Sequence, residues 1–381
     1  MISYGRQSIT EEDIQEVVKT LTSDFLTQGP KVKEFEKSIS DYCGAKYCVA
    51  VANGTAALHL AVVALNIPEG RQGITSTNTF TASATSMVYS GIKPVFADID
   101  PDTFNVTTET LKAKITKDTS LFIPVHFAGQ PCNMEEIKKL AVTQNIRIIE
   151  DAAHAIGSSY ADGDRVGSCR YSDMTIFSFH PVKTITTGEG GAITTNDEDL
   201  YKRLLLLRSH GITKDINILE KNPGPWYYEM QSLGFNYRMS DIQAALGVSQ
   251  MKRLDIFKAR RKEIIAKYND AFKGMRAFKT PVERKGLDSC FHLYIAQIDF
   301  EELGTSRSDY MKNLFSHDIG TQVHYIPVHT QPFYKEKYDT ENDDCPVAMN
   351  YYSHALSFPL YPDMTEKDQN YVIESIMSWH K

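Results

Sequence analysis

The sequence predicts an α/β fold: a mostly parallel sheet of about seven strands covered by helices, followed by a smaller second domain. Three observations carry this expectation. Short apolar runs that read as buried strands alternate with helical patterns over the first 255 or so residues. Most of these runs have a helix between them and the next, which favours parallel pairing. The chain is 381 residues long, more than one small core organises. Residues 280–381 carry fewer strands and more tyrosine, histidine and proline. The division is expected near residue 255, giving a large domain over 1–255 and a small α+β domain over 256–381. The N-terminal segment is placed against the small domain.

In chain order, residues 10–22 read as a helix with Thr10 as its cap, early acids, and Ile14, Val17, Val18 and Leu21 at helical spacing. The Leu26-Thr27-Gln28-Gly29-Pro30 loop precedes a second helix over 32–42. Residues 47–51 form a strand that runs into Asn53-Gly54-Thr55 and a helix over 56–65. A helix start of that kind suits a phosphate, and Asn53 and Thr55 also suit plain capping. Strands follow at 74–77, 94–99 and 121–127, then a helix over 135–145 and a strand over 146–150. Phe80, between the first of these strands and a small-residue helix, is either a core aromatic or a platform for a planar ring. Asp151 directly follows a hydrophobic strand, where a carboxylate is costly to bury unless it is paired. His154, alone, reads as a structural histidine. Strands at 174–179 and 191–195 complete the seven. A helix over 197–208, a long polar loop over 211–234 and a helix from 239 capped by Ser240 or Asp241 lead to a long helix from Leu254.

The stretch from Thr175 to Gly191, TIFSFHPVKTITTGEGG, passes from buried strand to glycine-rich loop. It carries Ser178 and Lys183, five residues apart, beyond a strand end. Ligands of open α/β sheets bind at the carboxyl ends of strands. Lys183 is therefore either a solvated loop lysine or a Schiff-base amine, with Ser178 a phosphate ligand. A net charge of −7 gives no basic footprint for nucleic acid. No apolar run reaches the length of a membrane span, and no signal peptide is visible at the N-terminus. The six cysteines lack paired spacing, so no zinc site or disulfide framework is expected and a reducing cytoplasm fits.

Taken together, Gly54-Thr55, Phe80, Asp151 with His154, and Ser178 with Lys183 supply what pyridoxal 5'-phosphate requires. These are phosphate donors at a helix start, a flat face, a carboxylate for the pyridinium nitrogen and an amine for the aldehyde. At these residues the chain resembles the fold-type I sugar aminotransferases of the DegT/DnrJ/EryC1/StrS family. The motifs are NGTAALHLA at 53–61, EDAAHAIG at 150–157, SFHPVKTITTGEGGA at 178–192 and GFNYRMSDIQAALG at 234–247. Within the family, SDFLTQGP, RSHGITKD and GPWYYE resemble the transaminases of pseudaminic acid biosynthesis.

The resemblance implies a seven-stranded mostly parallel sheet sandwiched by helices and a homodimer with shared active sites. It implies that Lys183 is catalytic and that Gly54, Thr55 and Ser178 hold the phosphate. Phe80 would stack on the ring, Asp151 would pair with its nitrogen, and His154, where relatives often carry Gln, would lie near its hydroxyl. Asn236 would reach the phosphate from a second subunit. L-glutamate would be the amino donor and a UDP-linked 4-keto-6-deoxy-N-acetyl sugar the acceptor. Tyr4, Thr27, Trp226, Tyr228, His324 and Tyr325 are the expected substrate-binding residues. No metal is expected. A dTDP- or GDP-linked keto-sugar acceptor, or a non-catalytic cofactor-binding regulator, is the alternative.

Overall fold

The computed structural model describes residues 1–380. Two helices, α1 (Glu11–Leu21) and α2 (Pro30–Cys43), precede the sheet. Then follow β1 (Tyr47–Val51), α3 (Gly54–Ala64), β2 (Gln72–Ser76), α4 (Ala82–Tyr89), β3 (Lys93–Ala97) and the short α5 (Thr108–Lys112). Next come β4 (Thr119–Ile123), α6 (Met134–Gln144), β5 (Arg147–Asp151), β6 (Met174–Ser178), β7 (Gly191–Thr195) and α7 (Glu198–Arg208). These seven strands form one sheet in the order β1-β7-β6-β5-β4-β2-β3. All pairings are parallel except those of β7, which runs against both β1 and β6.

Both faces of this sheet are apolar because both are covered. Val49, Ile149, Ile176 and Ile193 join one core with α3, α4 and α7. Their neighbours Cys48, Ile148, Phe177 and Ala192 join another with α2, α6 and α8 (Asp241–Met251). Consecutive strand residues point to opposite faces, so an uninterrupted apolar run serves two helix layers. The expected strand over 121–127 is shorter than its apolar run. It stops at Ile123, ahead of Pro124, and Phe127–Gly129 form a 3₁₀ turn. Helix α1 also departs from expectation: Ile14, Val18 and Leu21 are exposed, while Asp13 is buried and accepts from Gln250 and Arg253.

One buried carboxylate on β5 faces away from the ligand side. Glu150 accepts from His126 Nε2–H at 2.8 Å, from the hydroxyls of Tyr160 and Ser172 at 2.5 Å each, and from Thr175 Oγ1 at 3.1 Å. Burial pushes its pKa up, but these donors outweigh that and hold it below the ordinary carboxylate range. Each donor left without this carboxylate would cost about 1–3 kcal/mol.

The polar loop after α7 contains a small ribbon, β8 (Ile212–Thr213) with β9 (Glu229–Met230). Helix α9 (Leu254–Ala271) leads to a three-stranded antiparallel sheet. That sheet comprises β10 (Phe278–Lys279), β11 (Tyr294–Ile298) and β12 (Ala355–Phe358). Helices α10 (Arg307–Ser316), α11 (Pro332–Tyr338), α12 (Pro346–His354) and α13 (Glu366–Met377) complete the chain. Tyr268, Tyr294, Tyr310, Phe358 and Val372 lie in a third core. The N-terminal segment crosses to this part of the chain. Ile2 exchanges backbone hydrogen bonds with Asp318 and Gly320, and Tyr4 C=O accepts from Leu360 N–H. No helix among the described residues is long and apolar enough to cross a membrane.

Candidate active site

A cavity of about 1140 Å³ opens at the carboxyl ends of the central strands. Its lining includes Gly54, Thr55, Phe80, Asp151, His154, Ser178, Lys183, Tyr4, His324 and Tyr325. Ten residues singled out in the sequence are thus brought together from both ends of the chain. The other four lie outside its wall. Thr27 is exposed and bridges to Ser240, Asn236 is exposed and bridges to Ser209, and Trp226 and Tyr228 are 69% and 54% exposed.

Each polar group is set by a local device. Asn53 caps α3, its side chain accepting from Ala56 N–H at 2.8 Å. The N–H groups of Gly54 and Thr55 have no acceptor among the described residues, as first-turn amides do not. A Cβ on Gly54 would come within 2.8 Å of Ser178 Cβ and 3.0 Å of its Oγ. Glycine there lets the helix start approach Ser178 and leaves an anion cradle of amides and hydroxyls. Phe80 is 59% exposed at the cavity, so its face is free and it is not a core aromatic.

Asp151 ends β5, and its carboxylate is fixed on two sides. Ser83 Oγ–H donates to Oδ2 at 2.7 Å, Ala153 N–H donates to Oδ1 at 3.1 Å, and Thr79 in turn donates to Ser83 at 2.8 Å. Lys183 lies in the turn after β6. Burial pushes its amine down to about 8, against the opposing pull of the Asp151 carboxylate. A lysine amine near neutrality can attack a carbonyl and carry protons.

Three buried histidines of the wall are held toward the neutral form. Burial, reinforced by the Lys183 charge, pushes His324 down to about 3, and His154 and His292 well below the usual range. His154 Nε2 lies 3.0 Å from Tyr325 Oη, and its ring stands 4.4 Å from that of His292.

Sequence reasoning missed several members of this wall. Ser83, which stands behind the wall and orients Asp151, had a readable signal, a hydroxyl one helical turn after Phe80 in a small-residue helix. His59 and Tyr237, joined at 3.2 Å, and Tyr89 also line the cavity. His292 carries no motif, and only the fold brings it beside His154.

The arrangement can hold an anion, seat a planar ring and offer an amine beside a fixed carboxylate. The pattern of the DegT/DnrJ/EryC1/StrS aminotransferase family matches residues 7–377. The spore coat polysaccharide biosynthesis protein SpsC of Bacillus subtilis is 42% identical over 98% of this chain and 96% of its own. A UDP-4-amino-4,6-dideoxy-N-acetyl-beta-L-altrosamine transaminase of Campylobacter jejuni is 38% identical over 99% and 97%. The PMP form of Spr1654 from Streptococcus pneumoniae superposes with a TM-score of 0.92, at 32% identity over 100% of this chain and 99% of that one. With the family pattern running almost end to end and relatives this similar, the chain belongs to the DegT/DnrJ/EryC1/StrS aminotransferase family.

Proposed function

We propose that this protein is a cytoplasmic, pyridoxal-phosphate-dependent transaminase. It moves the amino group of L-glutamate to C4 of a UDP-linked 4-keto-6-deoxy-N-acetylhexosamine, on the route to pseudaminic acid. The observation that carries the reading is the meeting of the Lys183 amine, the fixed Asp151 carboxylate and the Gly54–Ser178 cradle in one cavity. The named activity of the Campylobacter jejuni relative supports the substrate.

The donor set fits the cofactor. The Gly54 and Thr55 amides and the Thr55 and Ser178 hydroxyls would hold its phosphate. Phe80 would cover its ring, and Asp151 would hold the positive charge of the ring nitrogen. Bound there, pyridoxal phosphate supplies an electron sink that lets an amine and a ketone exchange nitrogen. Lys183 Nζ takes a proton from the carbon of glutamate that bears the nitrogen and later gives one to C4 of the sugar. A pKa near 8 suits an amine that must do both at neutral pH. We read the chain as two domains divided near residue 255, the start of α9, with the cavity between them. The direct test is to incubate the purified protein with glutamate and a panel of UDP-, dTDP- and GDP-linked 4-keto sugars and identify the products. Amination of only a dTDP- or GDP-linked sugar would overturn the substrate assignment.

We further propose a homodimer in which Asn236 of one subunit completes the phosphate site of the other. Exposed apolar side chains on and after α1, including Val18, Leu21, Phe25 and Leu26, support a covered face there. Mixing inactive Lys183→Ala with inactive Asn236→Ala subunits should restore part of the activity, because one hybrid site carries neither change. Hybrid dimers that form and stay inactive would exclude a shared site.

Trp226 and Tyr228 offer exposed flat faces and a hydroxyl to a sugar or uracil ring. Changing both to alanine should raise KM for the nucleotide sugar by about tenfold, the loss of about 1.4 kcal/mol of binding, with little change for glutamate. Equal effects on both substrates, or loss of the dimer, would assign them to packing.

A further inference from the structure

The resemblance places His154 near the ring hydroxyl of the cofactor, but both of its ring nitrogens are engaged within the protein. Nδ1 lies 3.3 Å from the backbone nitrogen of Ala128. A backbone amide only donates, so Nδ1 is the unprotonated acceptor. The neutral ring then carries its proton on Nε2, 3.0 Å from Tyr325 Oη. The opposite tautomer would set two donors face to face at Ala128. Burial, with Lys183 and His324 nearby, keeps the ring from taking a second proton.

Ala128 is arranged to hold this pattern. It occupies the Phe127–Gly129 turn at φ 54°, a left-handed conformation that side chains rarely adopt. In that conformation its N–H faces His154, and its C=O accepts from His292 N–H at 2.9 Å. One residue thereby fixes the His154 ring and the backbone of His292.

Tyr325 Oη accepts from His154 and so retains its own proton to donate. Among the described residues it has no other hydrogen-bond partner, and it lines the cavity. Burial and the Asp151 charge push its pKa up, so the proton stays in place. On pyridoxal phosphate the phosphate is claimed by the Gly54–Ser178 cradle and the ring nitrogen by Asp151. The acceptor left for a donor on this wall is the phenolic oxygen.

We propose that Tyr325, and not His154, hydrogen-bonds to the phenolic oxygen of pyridoxal phosphate, and that the Ala128–His154 relay sets Tyr325 as a donor. His154 is then a positioning residue. The inference rests on the cofactor reading above, and the test separates the two.

The first measurement uses cofactor-free protein carrying ¹⁵N-histidine, with the His154 signals assigned by their loss in His154→Gln. Long-range ¹H–¹⁵N spectra should show His154 as the neutral Nε2–H tautomer between about pH 6 and 9. A Nδ1–H tautomer or an imidazolium in that range overturns the relay. The second measurement follows the visible band of the bound cofactor with pH. Tyr325→Phe should move its titration upward by about one pH unit or more, because a phenolate that loses a donor becomes more basic. His154→Phe, which leaves the Tyr325 hydroxyl in place, should move it less. A larger shift in His154→Phe, or an altered melting temperature with an unmoved band in Tyr325→Phe, overturns the assignment. If the wild type shows no cofactor band at all, this assignment falls together with the cofactor reading. The Nε2–H tautomer would then show that the cofactor reading was what failed.

Discussion

Replacing Lys183 with alanine should leave the protein folded and reduce amino-group transfer by about 10³-fold or more, since a positioned acid–base group alone contributes about 10²–10⁴. The effect should be this large because, on the proposed reading, one amine would serve two tasks, covalent capture of a carbonyl and proton transport. Borohydride reduction of the yellow holoprotein should fix the cofactor onto Lys183, and peptide mapping that finds the label elsewhere would remove Lys183 from this role. The amine's titration gives a second check. A lysine lowered to about 8 becomes a free amine as pH rises through that value, whereas ordinary lysines do so near about 10.4. Reductive methylation of cofactor-free protein at pH 8 should therefore modify Lys183 ahead of accessible surface lysines. Labelling of Lys183 in step with those surface lysines would contradict the lowered value.

Asp151→Asn should retain the fold and some cofactor yet lose about 10²-fold or more of turnover, the scale of removing one well-placed electrostatic group. Asparagine has nearly the same shape, and its carbonyl can still accept from Ser83 Oγ–H or Ala153 N–H. What it lacks is the charge that, on the proposed reading, would keep the ring nitrogen protonated. Ser83→Ala removes only the hydroxyl that orients the carboxylate and should cost much less. Turnover of Asp151→Asn near that of the wild type would exclude Asp151 from the chemistry.

The strands were legible because they are covered on both faces. The run Tyr47–Val51 and the run Gly191–Thr195 are strands over the same residues that the apolar pattern indicates. The run ending at Phe127 was overread because an apolar stretch does not disclose where a 3₁₀ turn replaces a strand. Phe80 was ambiguous for a related reason. A side chain's hydrophobicity does not distinguish a core from a cavity wall, and only its exposure in the fold does. Lys183, Asp151 and Ser178 were legible because each is a polar residue at or just beyond the end of an apolar strand. His292 comes from a distant segment with nothing local to mark it, and Tyr237 lies in the 234–247 motif without standing out from it. Trp226, Tyr228, Thr27 and Asn236 rest on the resemblance, and in this chain they lie outside the cavity wall. The outward-facing Ile14, Val18 and Leu21 teach the same lesson from the other side. Helical spacing identifies an apolar face and does not say whether its own chain covers it.

Glu150 and Asp151 are neighbours on one strand, and the pleat sends them to opposite faces. The longer acid enters a closed ring of four donors, and the shorter one enters the cavity. A sheet strand that pairs one step out of place exchanges its two faces. In most buried strands such a slip trades one greasy side chain for another and is weakly penalised. Here it would put the short acid where it cannot reach all four donors and leave the long one intruding on the ligand. The two carboxylates thus act as a key cut on both edges: β5 fits its lock in one position, and a chain assembled out of step would lack a working site from the outset.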